Sequence, residues 1–303
     1  PPAMEEAPTA VSWERRSTDW LRLHGQLLVL AALGVALYWP TCRYLLHYWL
    51  SNDYMQFGLL MPPAIAYLVY SLWQEHGKTF TPSPAALRLG AGLLGFSLLV
   101  HLAAWRAQSP DISAFSLITF VLALMALFWG TLAARKSAPL LAMLILAVPN
   151  PTLLFAEVTT WRWQVYSSTL TAIIASILGL PLEKEGVNLA IPGHCSITVA
   201  AVCSGCKTFL GLLAFAFIYI GVVRAVWWKK GLLVLATVPI AIVSNAFRLV
   251  AILIVGRFWG QEAAMAFHDH SGLGLRLTAL ILLLLLGRWL GCGRSEPAPS
   301  PSS

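Results

Sequence analysis

Apolar runs of about 17–25 residues, broken by short polar or charged stretches, recur along nearly the whole chain. A bilayer core about 30 Å thick takes roughly 20 helical residues to cross. The pattern predicts spans at roughly 24–40, 56–74, 87–105, 113–131, 137–149, 205–224, 231–256 and 271–290. The first can run on past Pro40. The fifth is short and ends at Val148-Pro149-Asn150-Pro151, where proline removes a backbone donor and stops a helix. About eight transmembrane helices in an all-α polytopic membrane protein is the expected fold.

The segment 150–204 breaks the rhythm. Phe155 to Leu180 mixes Trp161, Trp163 and Tyr166 with Arg162, Gln164 and several Ser and Thr, which suits an amphipathic helix at the membrane interface. From Glu185 to Val202, Val187, Leu189 and Ile191 alternate with polar residues. Pro192-Gly193-His194 follows, and then Ile197, Val199 and Ala201 alternate again. Alternation about a Pro-Gly turn predicts a β-hairpin. Strands need water or protein to satisfy them, so the hairpin belongs outside the hydrocarbon, leading into Cys203.

Composition narrows the class. Hydrophobic residues make up 58% of the chain and charged ones 11%, against about a quarter charged in soluble domains. The net charge of +7 forms no basic stripe of the kind that binds nucleic acid, and it serves instead to orient the chain. With the N-terminus inside, Arg15, Arg16, Arg22, Lys78, Arg88, Arg135, Lys136, Arg224, Lys229, Lys230, Arg288 and Arg294 fall on the cytoplasmic side, twelve of the 20 Lys and Arg. That bias puts both termini in the cytoplasm of an inner membrane. The expected organisation is a cytoplasmic segment 1–23 and one transmembrane domain 24–292, with 150–204 its extracytoplasmic helix and hairpin. A disordered Ser/Pro/Ala-rich tail 293–303 follows.

Against this background Cys203, Arg248 and His268 stand out, since ionisable groups at membrane depth are costly and mark function. Cys203 opens the sixth span from outside. Arg248, 17 residues beyond Gly231, has risen roughly 25 Å along the seventh, and His268 falls in the short connection before the eighth. All three are expected at one face. Together they supply a nucleophile, a proton shuttle and a fixed positive charge, the parts of thiol-based acyl transfer. At a helix N-terminus beside Lys207, the thiolate is expected to be favoured. Cys203 and Arg248 also have plainer readings: a packed thiol, and a snorkelling or ion-paired arginine. Asn245 lies one turn before Arg248 and favours an inward polar cluster.

Val202-Cys203-Ser204-Gly205-Cys206-Lys207, Asn245-Ala246-Phe247-Arg248 and His268-Asp269-His270-Ser271-Gly272 resemble, in order, the Cys-Ser-Gly, Asn-x-x-Arg and His-x-x-x-Gly blocks of the exosortases and archaeosortases. These are integral-membrane cysteine transpeptidases. Asp53-Tyr54, the Pro149–Pro151 stop, Gly179-Leu180-Pro181 and Glu185-Gly186 extend the similarity over most of the chain from about residue 45. The chain departs from the family at Cys206, Ala201, Gln56 and Phe57. The resemblance implies catalysis by Cys203, Arg248 and His268, with Asn245, Ser204, Gly205, Lys207 and His270 in support, and it needs neither cofactor nor metal. It implies partners too: exported proteins ending in a short motif such as Pro-Glu-Pro, a transmembrane helix and a basic tail (PEP-CTERM-like). The cut chain would pass through a thioacyl enzyme to an acceptor the sequence does not identify.

Two other chemistries start from the same residues. Cys203-Ser204-Gly205-Cys206 is a literal C-x-x-C and suggests a thiol–disulfide oxidoreductase; Cys203, Cys206, His268 and His270 together suggest zinc. A small-solute transporter with Arg248 in its pathway is the non-enzymatic alternative. His268 and His270 both begin an H-x-x-x-G match; Phe267-His268 followed by Ser271-Gly272 fits the family better.

Overall fold

The computed structural model describes residues 10–81, 83–200 and 203–293. The tail beyond residue 293 and the Ala201-Val202 step lie outside the described residues. Helix dominates the structure: α1 (Ala10–Ser51), α2 (Met61–His76), α3 (Pro84–Arg106), α4 (Pro110–Ala142), α5 (Pro149–Ile177), α6 (Cys206–Val222) and α7 (Trp227–Trp289). Short 3-10 turns cover Gln56–Leu59, Gly77–Thr79 and Met143–Ala147, and three strands lie between α5 and α6: β1 (Glu183–Glu185), β2 (Asn188–Ile191) and β3 (Cys195–Thr198).

Four helical segments among the described residues are long and apolar enough to cross a membrane: Val29–Ser51, Pro84–Arg106, Pro110–Ala147 and Trp227–Trp289, with the shorter Cys206–Val222 besides. This is a multi-pass helical membrane protein. Two of the four contain a sharp break. Gly130 in α4 (φ 90°, ψ 175°) and Gly260 in α7 (φ 85°, ψ 178°) leave helical geometry, in a region of backbone space that favours glycine. The expected boundary between spans four and five falls close to Gly130. The boundary between spans seven and eight falls at Gly260, so residues 261–270, read from sequence as connection, are helical. α1 continues through Pro40.

The described residues within 1–47 and 69–142 form one compact unit, and those within 48–68 and 143–303 form another. In the first, Ser83 caps α3 by accepting a hydrogen bond from the Ala86 amide at 3.1 Å, with Pro84 opening the helix; α3 packs along α4. In the second, α6 and α5 pack on α7.

α5 covers the segment expected as an interfacial helix and begins earlier, at Pro149. Thr152, Ala156, Trp163, Ser167, Thr171 and Ala175 are buried along one stripe, while Leu154, Val158, Trp161, Ile173 and Ile177 are exposed. α5 is not among the described helices long and apolar enough to cross a membrane.

The predicted hairpin is real but belongs to a larger sheet. β2 pairs with β3 antiparallel, Ile191 opposite Cys195 across the Pro192–His194 turn, and β1 adds a third strand by pairing Glu185 with Asn188. The second turn, at Gly186-Val187, carried no proline to announce it. Leu189, Ile191, Cys195, Ile197 and Val199 fill one face and pack against Leu249, Ile252, Leu253 and Ala264 of α7. Gln261, just past the α7 break, clasps the outer strand: it accepts from the Ser196 amide at 2.9 Å and donates to the Ser196 carbonyl at 3.0 Å. Replacing it (Gln261→Ala) removes two exposed hydrogen bonds, and is expected to cost about 1 kcal/mol. Thermal unfolding in detergent should fall accordingly, with faster hydrogen exchange at the Ser196 amide; unchanged exchange there would refute the clasp.

Candidate active site

The chain leaves the sheet at Val199 and reaches α6 through a loop whose carbonyls are gripped in turn. Gln164 of α5 donates to the Val199 carbonyl at 2.8 Å, Asn245 of α7 to the Cys203 carbonyl at 2.9 Å, and Ser167 of α5 to the Ser204 carbonyl at 2.7 Å. Gly205 then turns the chain into α6 with φ 89°. A side chain there would be strained by that φ, and its Cβ would lie 3.1 Å from the Asn245 Cβ. Glycine therefore lets the asparagine close on the loop. Cys203, Ser204 and Asn245 are all buried. The Asn245 Oδ1 has no hydrogen-bond partner among the described residues.

The break at Gly260 brings the second half of the site to the first. An unbroken helix would set residues 248 and 268 roughly 30 Å apart. Instead the Arg248 Nη2 donates to the His268 carbonyl at 2.8 Å, and its Nε donates to the Ser271 Oγ at 2.8 Å. Two of the five guanidinium N–H donors thus hold the turn that carries His268. The His268 Nε2 lies 2.7 Å from the Cys203 Sγ, and its Nδ1 lies 3.2 Å from Asp269 Oδ1.

The electrostatics depart from expectation. Burial pushes the Cys203 thiol above its ordinary value; the positive charges of Arg248 and, more weakly, Lys207 pull it down, and Asp269 adds to the rise. A standing thiolate was expected at this helix start, but desolvation of the charged form outweighs the cations. Lys207 is itself engaged, its Nζ 2.8 Å from the Asp53 carboxylate. That hydrogen bond and charge hold the Asp53 carboxyl below the usual range.

Of the residues expected from sequence, Cys203, Arg248, His268, Asn245, Ser204 and Gly205 converge. The remaining candidates do not reach the thiol. His270 is exposed, its Nδ1 2.8 Å from the Ala266 carbonyl of its own helix. Cys206 is fully buried among Ala156, Trp163, Phe209 and Ala241, and all five cysteines are free. Among the described residues no three His, Cys, Asp or Glu are grouped as metal ligands. Asp269, Ser271, Gln164 and Ser167 were not identified from sequence. Asp269 and Ser271 stood inside the His268 block, whereas nothing in sequence tied the two α5 residues to a loop 35 residues or more away.

A multi-pass helical protein with a buried thiol against a half-buried imidazole, and an arginine fixing the imidazole turn, is the class that fold and site define. The family model for the transmembrane exosortase (Exosortase_EpsH) matches residues 49–286, and the chain belongs to that family, whose general role is membrane transpeptidase or protease chemistry. Neither a curated protein nor a solved structure matches the chain.

The opposing charges around Cys203 give a signed prediction for thiol ionisation. Asp269→Asn removes a contribution that raises the thiol pKa, and Arg248→Gln removes one that lowers it. In a variant retaining Cys203 as its sole cysteine, the pH midpoint of iodoacetamide alkylation should lie above about 8.5, the value of a free cysteine. It should move down with Asp269→Asn and up with Arg248→Gln. A shift of opposite sign in either variant would contradict this electrostatic balance.

Proposed function

We propose that this exosortase is a cysteine transpeptidase that cuts the C-terminal sorting signal of exported proteins through a thioacyl intermediate. One observation carries the reading: the Cys203 Sγ lies 2.7 Å from the His268 Nε2. A thiol held protonated by burial needs a base at the moment of attack, and an imidazole at hydrogen-bond distance supplies one. In the proposed sequence His268 takes the thiol proton as sulfur adds to the peptide carbonyl. Arg248 uses its remaining donors to stabilise the tetrahedral oxyanion. The imidazolium then protonates the departing amine, the C–N bond breaks, and a thioester remains on Cys203. An amine, hydroxyl or water then attacks that thioester and restores the thiol. Asp269, its Oδ1 3.2 Å from the His268 Nδ1, accepts from that nitrogen and leaves Nε2 facing the thiol.

The substrate class follows the family resemblance: proteins ending in a PEP-CTERM-like motif, a membrane helix and a basic tail. The proposed topology counts α4 and α7 as two crossings each, on either side of Gly130 and Gly260, giving eight in all. Both termini lie in the cytoplasm and Cys203 at the extracytoplasmic face of the inner membrane. The charge distribution supports this orientation.

Acyl transfer needs one thiol and disulfide exchange two, and the packing of Cys206 among Ala156, Trp163, Phe209 and Ala241, away from His268, supports the first. Cys203→Ala is expected to abolish processing of a co-expressed protein bearing such a signal, read as its mass shift in cells. Cys206→Ala removes only a packed sulfur and should leave processing within about threefold of the parent, because one thiol suffices for acyl transfer. Equal loss in both variants, each present at parental levels, would move the chemistry to redox exchange.

A further inference from the structure

The first unit contains a cleft of about 700 Å³ between α1 and the adjoining ends of α3 and α4, within the roughly 300–1,000 Å³ range of ligand sites. None of its lining residues belongs to the thiol site, and it plays no part in the proposed reaction. Its floor is a chain of hydrogen bonds in an otherwise apolar bundle. The Thr41 Oγ1 is 2.6 Å from the Ser113 Oγ, which is 2.9 Å from the His101 Nδ1; Thr41 and Ser113 are both buried. Tyr38 packs against the imidazole, ring centroids 4.4 Å apart, and its own hydroxyl accepts from the Ser116 Oγ at 3.0 Å.

Either hydroxyl can donate in the Thr41–Ser113 contact, and the donor order fixes the His101 tautomer. If Thr41 donates to Ser113 and Ser113 to the His101 Nδ1, the imidazole proton sits on Nε2. His101 lines the cleft, and no described residue hydrogen-bonds to its Nε2, so with that donor order the network ends in a donor offered to whatever fills the space. Arg106 adds a permanent cation to the same lining and Gln108 a neutral amide. No carboxylate lines the cleft; that of Asp111, next to Pro110 in sequence, accepts from the Tyr44 hydroxyl at 3.1 and 3.2 Å. The lining therefore selects an anion.

Its remaining wall selects a chain as well. Leu37, Leu98, Leu102 and Trp105 line the cleft, yet are 40%, 40%, 54% and 69% exposed. A water-soluble anion would leave these side chains bare, whereas acyl chains would cover them. Arginine meets phosphate through paired N–H donors, and tryptophan favours the headgroup level of a bilayer. We propose that this cleft binds one anionic glycerophospholipid, its phosphate held by Arg106 and the His101 Nε2 and its acyl chains laid along Leu98, Leu102 and Trp105.

The test uses the full-length protein, purified and delipidated in mild detergent, and titrated by native mass spectrometry with phosphatidylglycerol or chain-matched phosphatidylcholine. One phosphatidylglycerol should bind about tenfold tighter than phosphatidylcholine, the equivalent of one charge-assisted hydrogen bond. Arg106→Gln and His101→Phe should each erase most of that difference, and Leu102→Trp, which fills the apolar wall and keeps both donors, should weaken both lipids. Arg106 is exposed, so Arg106→Gln alone decides the matter if the buried network does not tolerate phenylalanine. Equal affinity for the two lipids would overturn the proposal. So would undiminished preference in Arg106→Gln, or glycerol phosphate binding as tightly as phosphatidylglycerol, which would assign the cleft to a soluble anion. The outcome does not depend on the acyl-transfer reading.

Discussion

The reversal of α7 at Gly260 is the constraint on which the site depends. Arg248 and His268 come from the two arms of that helix, and only a residue at ease with φ 85° lets the second arm return along the first. Arg248 then closes the gap by donating to the His268 carbonyl and the Ser271 hydroxyl. The sheet reinforces the same corner. Its apolar face packs against Leu249, Leu253 and Ala264, which lie on both sides of the break, and Gln261 clasps β3 just beyond it. The three-stranded sheet thus braces a bend, beside the loop that presents the thiol.

Burial sets the chemistry of that thiol. A cysteine this enclosed pays for ionisation in lost solvation, and nearby cations offset only part of the cost. In the proposed reaction the imidazole 2.7 Å away takes the proton as sulfur attacks, so no free thiolate need persist beforehand. Arg248 has two tasks here. Two of its N–H groups fix the histidine turn, and those left over are the ones the proposed mechanism assigns to the oxyanion.

The helical membrane class was legible because hydrocarbon length is written directly in sequence: the apolar runs expected as spans are largely helical in the structure, the fifth passing into a 3-10 turn at Met143–Ala147. The Pro-Gly turn between β2 and β3 was equally explicit. The Gly186 turn and β1 were missed, since Glu183, Lys184 and Glu185 are all exposed and show no apolar alternation. His268 was expected in a connection, because the charged and polar residues from Gln261 to Ser271 interrupt the hydropathy pattern without interrupting the helix. The trio Cys203, Arg248 and His268 was legible from motif order and topology. The α5 side chains that hold the loop were not. A serine or glutamine that donates to a distant carbonyl leaves no local trace, and Ser167 and Gln164 looked like the polar face of an interfacial helix.

The central claim is that Cys203 carries the acyl group of its substrate. The direct measurement is intact-mass analysis of the purified protein, quenched in acid during turnover of a signal-bearing substrate, before and after neutral hydroxylamine. The account predicts an adduct on Cys203 equal in mass to the substrate's N-terminal fragment, released by hydroxylamine and unaffected by reductants that spare thioesters. A Cys203 adduct that reductant removes and hydroxylamine does not, or an intramolecular disulfide to Cys206, would contradict it.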